Sequence, residues 1–331
     1  MCQYSGIDGV ATQWHDVHIG SFATGGTGMI MMEATGVVPE GRISTACLGL
    51  WNEEQTNRLK PIVAFAQSMG TKIGIQLAHA GRKASCLPPW SDHPMASKEE
   101  GGWDCVAPSA ISFGGKYPVP KALSILDIKN LVSAFTDSAR RAVKAGFDLV
   151  EIHAAHGYLI HQFLSPISNQ RDDEYGGSFE NRTRFMLEIA REVRKAIPDS
   201  MPLFVRISAS DWLEDGWTID ESVQLCSLLK EVGVDLIDVS SGGTSSGAPV
   251  PVGPGYQVPF AERIRRESII PTCAVGLITE PKQADEIVRS GRADAVMMAR
   301  EFLRNPRWPL QAAKELSAEV TWPNQLLRGK S

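Results

Sequence analysis

A single (β/α)8 TIM barrel is the fold class that this sequence predicts, and three observations carry it. Short apolar runs rich in β-branched residues alternate with longer segments of helical periodicity over most of the 331 residues. Strict alternation of this kind builds a parallel sheet with a helix on each crossover. No composition shift or linker divides the chain, so the alternation belongs to one domain, 1–331. Polar residues then collect at the carboxyl ends of the apolar runs, the rim on which barrel enzymes carry their chemistry.

Taken in order, the chain opens with a weak helical pattern over 14–25. Strands are predicted at 29–37, 71–77, 148–154, 203–208, 234–241, 271–276 and 295–300. These runs are almost continuously apolar, as strands covered on both faces must be. Helices are predicted between them at 53–69, 127–145, 180–197, 219–232, 257–267 and 280–290, with a last one after Pro309. Seven strands are counted where a closed barrel has eight. Because a helix precedes the first of them, the first barrel strand is expected to be largely absent from this chain, which leaves two sheet edges open. Two connections at the carboxyl rim are long. The first, 84–120, holds six prolines with Trp90 and Trp103; it reads as a lid-like insertion over a site, with a disordered insert as the alternative.

Composition narrows the classes of function. With 43% hydrophobic and 21% charged residues the chain can bury a large core. Its net charge is −5 and its 33 basic residues are dispersed, so nucleic acid is not an expected partner. The six cysteines lie nineteen or more positions apart, which excludes local CxxC clusters and suits reduced thiols in the cytoplasm. No signal peptide and no apolar run of about eighteen residues is found, so no membrane association is expected.

The chemistry concentrates in 148–175, DLVEIHAAHGYLIHQFLSPISNQRDDEY. An apolar strand ends there in His153, His156, Gly157 and Tyr158. Residues i and i+3 of a straight strand face opposite sides, so the imidazoles converge only if the chain turns directly after His153. Two neutral imidazole N–H groups can hold a carbonyl oxygen and stabilise an enolate developing on it, and Tyr158 can then deliver a proton. A buried phenol bonded to backbone is the alternative for Tyr158. No third ligand accompanies the histidines, so no metal site is expected. The other strand ends contribute Glu33 with Ala34, Gln76 with His79, Arg206, and Ser241 with Gly242. The last two, AVGLIT and MMARE, place Gly276, Ala299 and Arg300 where backbone N–H groups suit a phosphate.

The segments IGIQLAHAGRKAS, EIHAAHGYLIHQFLSPISNQRDDEYGGSFENRTRF and FVRISASD, with the opening MCQYS and the closing QLLRG, together resemble the Old Yellow Enzyme family of flavin-dependent ene-reductases. The similarity spans essentially the whole chain and is closest to the thermophilic-like, bacterial-type branch. It implies non-covalent FMN at the carboxyl rim of the barrel and NADPH or NADH as hydride donor for an α,β-unsaturated carbonyl substrate. Carried over position by position, Ala34 and Gln76 would meet the isoalloxazine edge. Arg206 would sit at its N1 and O2 region, and Gly276, Ala299 and Arg300 at the phosphate. His153 and His156 would grip the substrate carbonyl and Tyr158 would donate the proton. Cys2 resembles the branch's flavin-side cysteine and Tyr4 a substrate-facing phenol. Arg328, in the 318–331 tail, matches an arginine that reaches the neighbouring subunit's site, which implies a homodimer or homotetramer. The reading from another class is a flavin-free barrel with a binding or regulatory role, prompted by the absent first strand.

Overall fold

The computed structural model describes residues 1–330. Helix α1 (Gln13–Thr24) leads into an alternation of parallel strands β1 (Met29–Gly36), β2 (Lys72–Ala78), β5 (Leu149–Ala154), β6 (Leu203–Ser208), β7 (Leu236–Ser240), β8 (Thr272–Ala274) and β9 (Ala295–Val296). They form one seven-stranded sheet in the order β1-β2-β5-β6-β7-β8-β9, every pair parallel. That order is sequential, as a barrel requires, and β1 and β9 are the two edges of the sheet. Seven strands of the TIM barrel are therefore present. The last two are shorter than the sequence predicts: β8 stops at Ala274, and Arg300 lies in a short helix rather than a strand.

Outside the sheet run α2 (Glu53–Ser68), α3 (Ile125–Ala145), α5 (Phe179–Ala196), α6 (Ile219–Glu231), α7 (Val258–Ser268) and α8 (Pro281–Arg289). Capping boxes fix several of their starts: Ser124 with Asp127 opens α3, and Thr218 with Glu221 opens α6. Gly146 in the left-handed region ends α3. Short helices α4 (Leu159–Leu164), α9 (Arg300–Arg304) and α10 (Trp308–Glu315) complete the set.

The two faces of the sheet differ in chemistry because side chains alternate along a strand. Leu203, Val205 and Ile207 of β6, and Val150, Ile152 and Ala154 of β5, turn to the helices and are fully buried in the main apolar core. The opposite parity carries Glu151, His153, Arg206, Asp238 and Ser240. The register sets Gln76 beside Glu151, His153 beside Arg206, and Arg206 beside Asp238. A polar interior is thus built strand by strand towards the carboxyl rim.

The 84–120 insertion is ordered. A two-stranded ladder of β3 (Val106–Ala107) and β4 (Lys121–Ala122) closes its base. Trp103 Nε1 donates to Glu40 O at 2.8 Å, and the Trp90 ring meets Tyr4 edge-on at 5.8 Å.

Candidate active site

The turn after β5 organises the site. The strand ends at Ala154, and positive φ at His156 (59°) and Gly157 (70°) folds the chain back over the rim. A non-glycine residue held at such a φ costs about 1 kcal/mol or more and persists only where its surroundings over-determine it. Here the polar backbone atoms of the turn meet side chains from elsewhere in the fold. The His156 N–H donates to Ser208 Oγ (2.8 Å), and the Gly157 N–H donates to His161 Nδ1 (2.8 Å). Gln162 Nε2 donates to Gly157 O (2.7 Å), and Lys83 Nζ donates to His156 O (2.8 Å). A Cβ on Gly157 would stand 2.1 Å from Gly243 O, so backbone packs on backbone and only glycine fits. His161 is fixed in turn by Asp211, whose Oδ1 is 3.0 Å from its Nε2 with both residues fully buried. Burial alone would raise the Asp211 carboxyl, but His161 and the hydroxyls of Ser165 and Thr244 hold it well below the usual carboxylate range.

This clamp brings the two histidines together as the sequence requires. Their ring centroids are 5.2 Å apart and perpendicular, and the Tyr158 ring stands 5.1 Å from His153, again perpendicular. The Ala155 N–H donates to His153 Nδ1 (3.2 Å), which leaves the ring proton on Nε2. His156 Nε2 is 2.7 Å from Ser240 Oγ. Burial, reinforced by the positive charge of Arg206, drives both imidazoles well below their usual range, so both are neutral at pH 7. The Tyr158 phenol moves the other way: burial, then the neighbouring Cys2 and Tyr4, push it well above its usual value. It keeps its proton at neutral pH. Lys83 Nζ lies 5.1 Å from the centre of the Tyr158 ring and 4.5 Å from that of Phe113, with burial lowering it to about 8.

These groups face a cavity of about 690 Å3. The first residues supply Cys2 and Tyr4, β1 supplies Ala34, and β2 supplies Gln76. His153, His156, Tyr158 and Arg206 border it, and Ala299 closes it at the amino end of α9. Ten of the residues singled out in the sequence, these nine and Glu33, therefore share one cavity. Gly276 and Arg300 do not border it directly, although their neighbours Val275 and Ala299 do. Arg328 is exposed, in a 3-10 helix at Asn324–Gly329 outside this cavity. His79 turns away to a separate groove of about 220 Å3.

Sequence reasoning missed the supports: Ser208, Ser240, His161, Gln162, Asp211 and Lys83. It also missed Glu151 and Asp238 below the cavity, although their inward parity with His153 and Ser240 was readable.

The donor set fits FMN. Gln76 offers an amide, and Arg206 Nε is buried without a hydrogen-bond partner, 3.2 Å from Asp238 Oδ2 but poorly aligned to it. Gly276, expected at the phosphate, has φ 126°, and a Cβ there would come within 2.9 Å of Gln257 Nε2 and 3.0 Å of the Tyr256 ring, so no side chain fits at this point of the backbone.

The model of the NADH:flavin oxidoreductase / NADH oxidase family matches residues 1–319. The chain belongs to this family. It is 51% identical over 331 residues to an NADPH dehydrogenase of Geobacillus thermodenitrificans, covering 99% of this chain and 92% of the relative. Among solved structures, morphinone reductase in complex with tetrahydroNAD superposes with a TM-score of 0.79 at 27% identity, covering 98% of this chain and 87% of the other. A 2-naphthoyl-CoA reductase complex gives a TM-score of 0.87 at 26% identity over 95% of this chain, which spans about half (49%) of that longer protein. The family match and these neighbours make the chain an FMN-dependent NAD(P)H oxidoreductase of the Old Yellow Enzyme type.

Proposed function

We propose that the chain is an ene-reductase of the thermophilic-like, bacterial-type branch, which reduces the C=C bond of α,β-unsaturated carbonyl compounds with NADPH or NADH. The observation that carries this reading is the neutral His153–His156 pair and the protonated Tyr158 around one cavity, above Gln76 and Arg206. FMN, when bound, supplies the two-electron chemistry that links the nicotinamide to the alkene. Ala34, Gln76 and Arg206 would hold the flavin ring, with Cys2 beside it, and backbone around Gly276, Ala299 and Arg300 would hold its phosphate.

The protein's own part is electrostatic and protolytic. His153 and His156 donate to the substrate carbonyl oxygen and bear the enolate charge as it grows; one donor of this kind is worth about 3 kcal/mol in the transition state. Being neutral, each donates without yielding its proton. Tyr158 delivers a proton to the α-carbon, and the Lys83 cation over its ring favours the phenolate that results. Tyr4 borders the cavity, and the Trp90 ring of the 84–120 insertion stands edge-on to it. Arg328, exposed on its own subunit, reaches the site of a neighbour in a homodimer or homotetramer, and the protein works in the cytoplasm. The reading is tested by product analysis: purified protein with NADPH and cyclohexenone yields cyclohexanone in step with NADPH consumed. NADPH oxidation without loss of the alkene would contradict it.

A further inference from the structure

Below the cavity lies a charge imbalance that the proposed chemistry does not use. Glu151 on β5 and Asp238 on β7 are both fully buried inside the barrel. The cation set between their strands is Arg206 on β6, whose Nε is 3.2 Å from Asp238 Oδ2. Glu151 is turned instead to neutral Gln76, whose Nε2 donates to its Oε1 at 2.6 Å. The other groups facing this layer carry no charge to spare. His153 above Glu151 is neutral, and Cys273 on β8 is a buried thiol. Glu151 Oε2 and both Asp238 oxygens lack hydrogen-bond partners. Two ionised carboxylates against one guanidinium would leave an uncompensated charge in a dry interior, which proteins avoid by retaining a proton. The geometry says which group retains it. Burial raises both carboxyls, but Asp238 has the arginine at 3.2 Å whereas Glu151 has the Gln76 amide as its hydrogen-bond partner and feels Arg206 from farther off.

We infer that Glu151 is a positioning residue for the flavin: it keeps a proton beside the Asp238–Arg206 pair and, where it has lost that proton, regains one as the flavin becomes negatively charged. The inference rests on FMN binding over Gln76 and Arg206. Chemically, the step is the transfer of one solvent proton to the Glu151 carboxylate, coupled to the two electrons that NAD(P)H supplies. A negative charge arriving above Arg206 draws on the same guanidinium that Asp238 uses, so the layer below becomes more negative unless a proton is taken up. Burial first, and then the charge of Asp238, move the Glu151 carboxyl from its ordinary 4.5 up to about 8, with Arg206 and Gln76 opposing. Below that pH the site is already protonated and nothing need be taken up.

The test has two arms on one substitution, Glu151→Gln, which keeps the shape and the bond to Gln76 but cannot titrate. In the holoenzyme, the flavin midpoint potential is followed from pH 6 to pH 10. Wild type and variant should fall together at one proton per two electrons up to about pH 8. Beyond it the wild type should steepen towards two protons per two electrons, while the variant keeps its slope. Parallel lines over the whole range would overturn the inference. In the apoprotein, thermal unfolding is compared from pH 4 to pH 9. The unfolded chain releases the Glu151 proton near 4.5 and the folded chain keeps it to about 8, so the folded state binds more protons between these limits and loses stability as pH rises through them. The variant lacks this loss. Its Tm should gain on the wild type steadily between pH 5 and pH 8, whereas a constant offset would mean a merely structural role and also overturn the inference. The second arm needs no flavin, so failure to bind FMN is distinguishable from failure of the proton assignment. If Glu151→Gln does not fold, Asp238→Asn serves instead: Glu151 then gains Arg206 as its partner, and the break in the potential should move to lower pH.

Discussion

At the scale of single residues, the division of labour follows from how burial acts on different acids. One cavity leaves His153 and His156 as neutral donors and Tyr158 as a protonated phenol, because burial penalises the charged form of each. Their roles separate on this basis. Tyr158→Phe keeps the ring against His153 and removes the proton, so reoxidation by an enone should slow by about 10²-fold or more, while reduction by NADPH stays within about twofold. Rapid-mixing measurement of the two half-reactions checks this, and equal slowing of both would remove Tyr158 from the proton step. The residues that carry the chemistry were legible because His153, His156 and Tyr158 are unusual side chains on a strand end. Glu151 and Asp238 were passed over because each sits in an apolar run that reads as ordinary buried strand. Their meaning lies in register pairs with Gln76 and Arg206 that the linear sequence does not display.

The site belongs, at the scale of elements, to the turn between β5 and α4. The sequence required that turn, since two imidazoles three residues apart cannot converge on a straight strand. What holds it was illegible. Ser208 comes from β6, Lys83 from the loop after β2, and His161 and Gln162 from α4, and only the folded barrel assembles them. The 84–120 insertion shows the same limit: its six prolines with Trp90 and Trp103 read as a lid-like insertion, but did not display the β3–β4 ladder or the contact of Trp90 with Tyr4. Because the turn packs backbone on backbone, Gly157→Ala meets both a positive φ and Gly243 O. It should destabilise the protein by more than about 1 kcal/mol and lower enone turnover more than NADPH consumption. Thermal melts and steady-state assays measure the two effects together. Unchanged stability would mean that the turn has room to relax.

For the whole molecule, alternation alone was enough to foresee the barrel, because parallel strands buried on both faces read as apolar runs and their crossovers as helices. The count of seven strands was equally legible, and the sheet indeed has β1 and β9 as its edges. The weakest readings were β8 and β9, three and two residues long, where glycine and loop chemistry replace the ladder. Assembly is the property that lies furthest from one chain's geometry. Arg328 is exposed and does not border the active-site cavity of its own subunit, as the proposed role in a neighbour's site requires. Arg328→Ala should therefore raise the KM for enone severalfold without changing the Tm of the subunit, and mixing it with Tyr158→Phe protein should restore partial activity through hybrid sites. No recovery on mixing would place Arg328 outside the catalytic unit.

The most direct measurement is a visible spectrum of the purified chain under anaerobic conditions, first with NADPH added and then with cyclohexenone. Flavin bands that bleach with the nicotinamide and return with the enone are the expected result. A protein that stays colourless after FMN is supplied, or bleaches and does not recover, would contradict the ene-reductase reading.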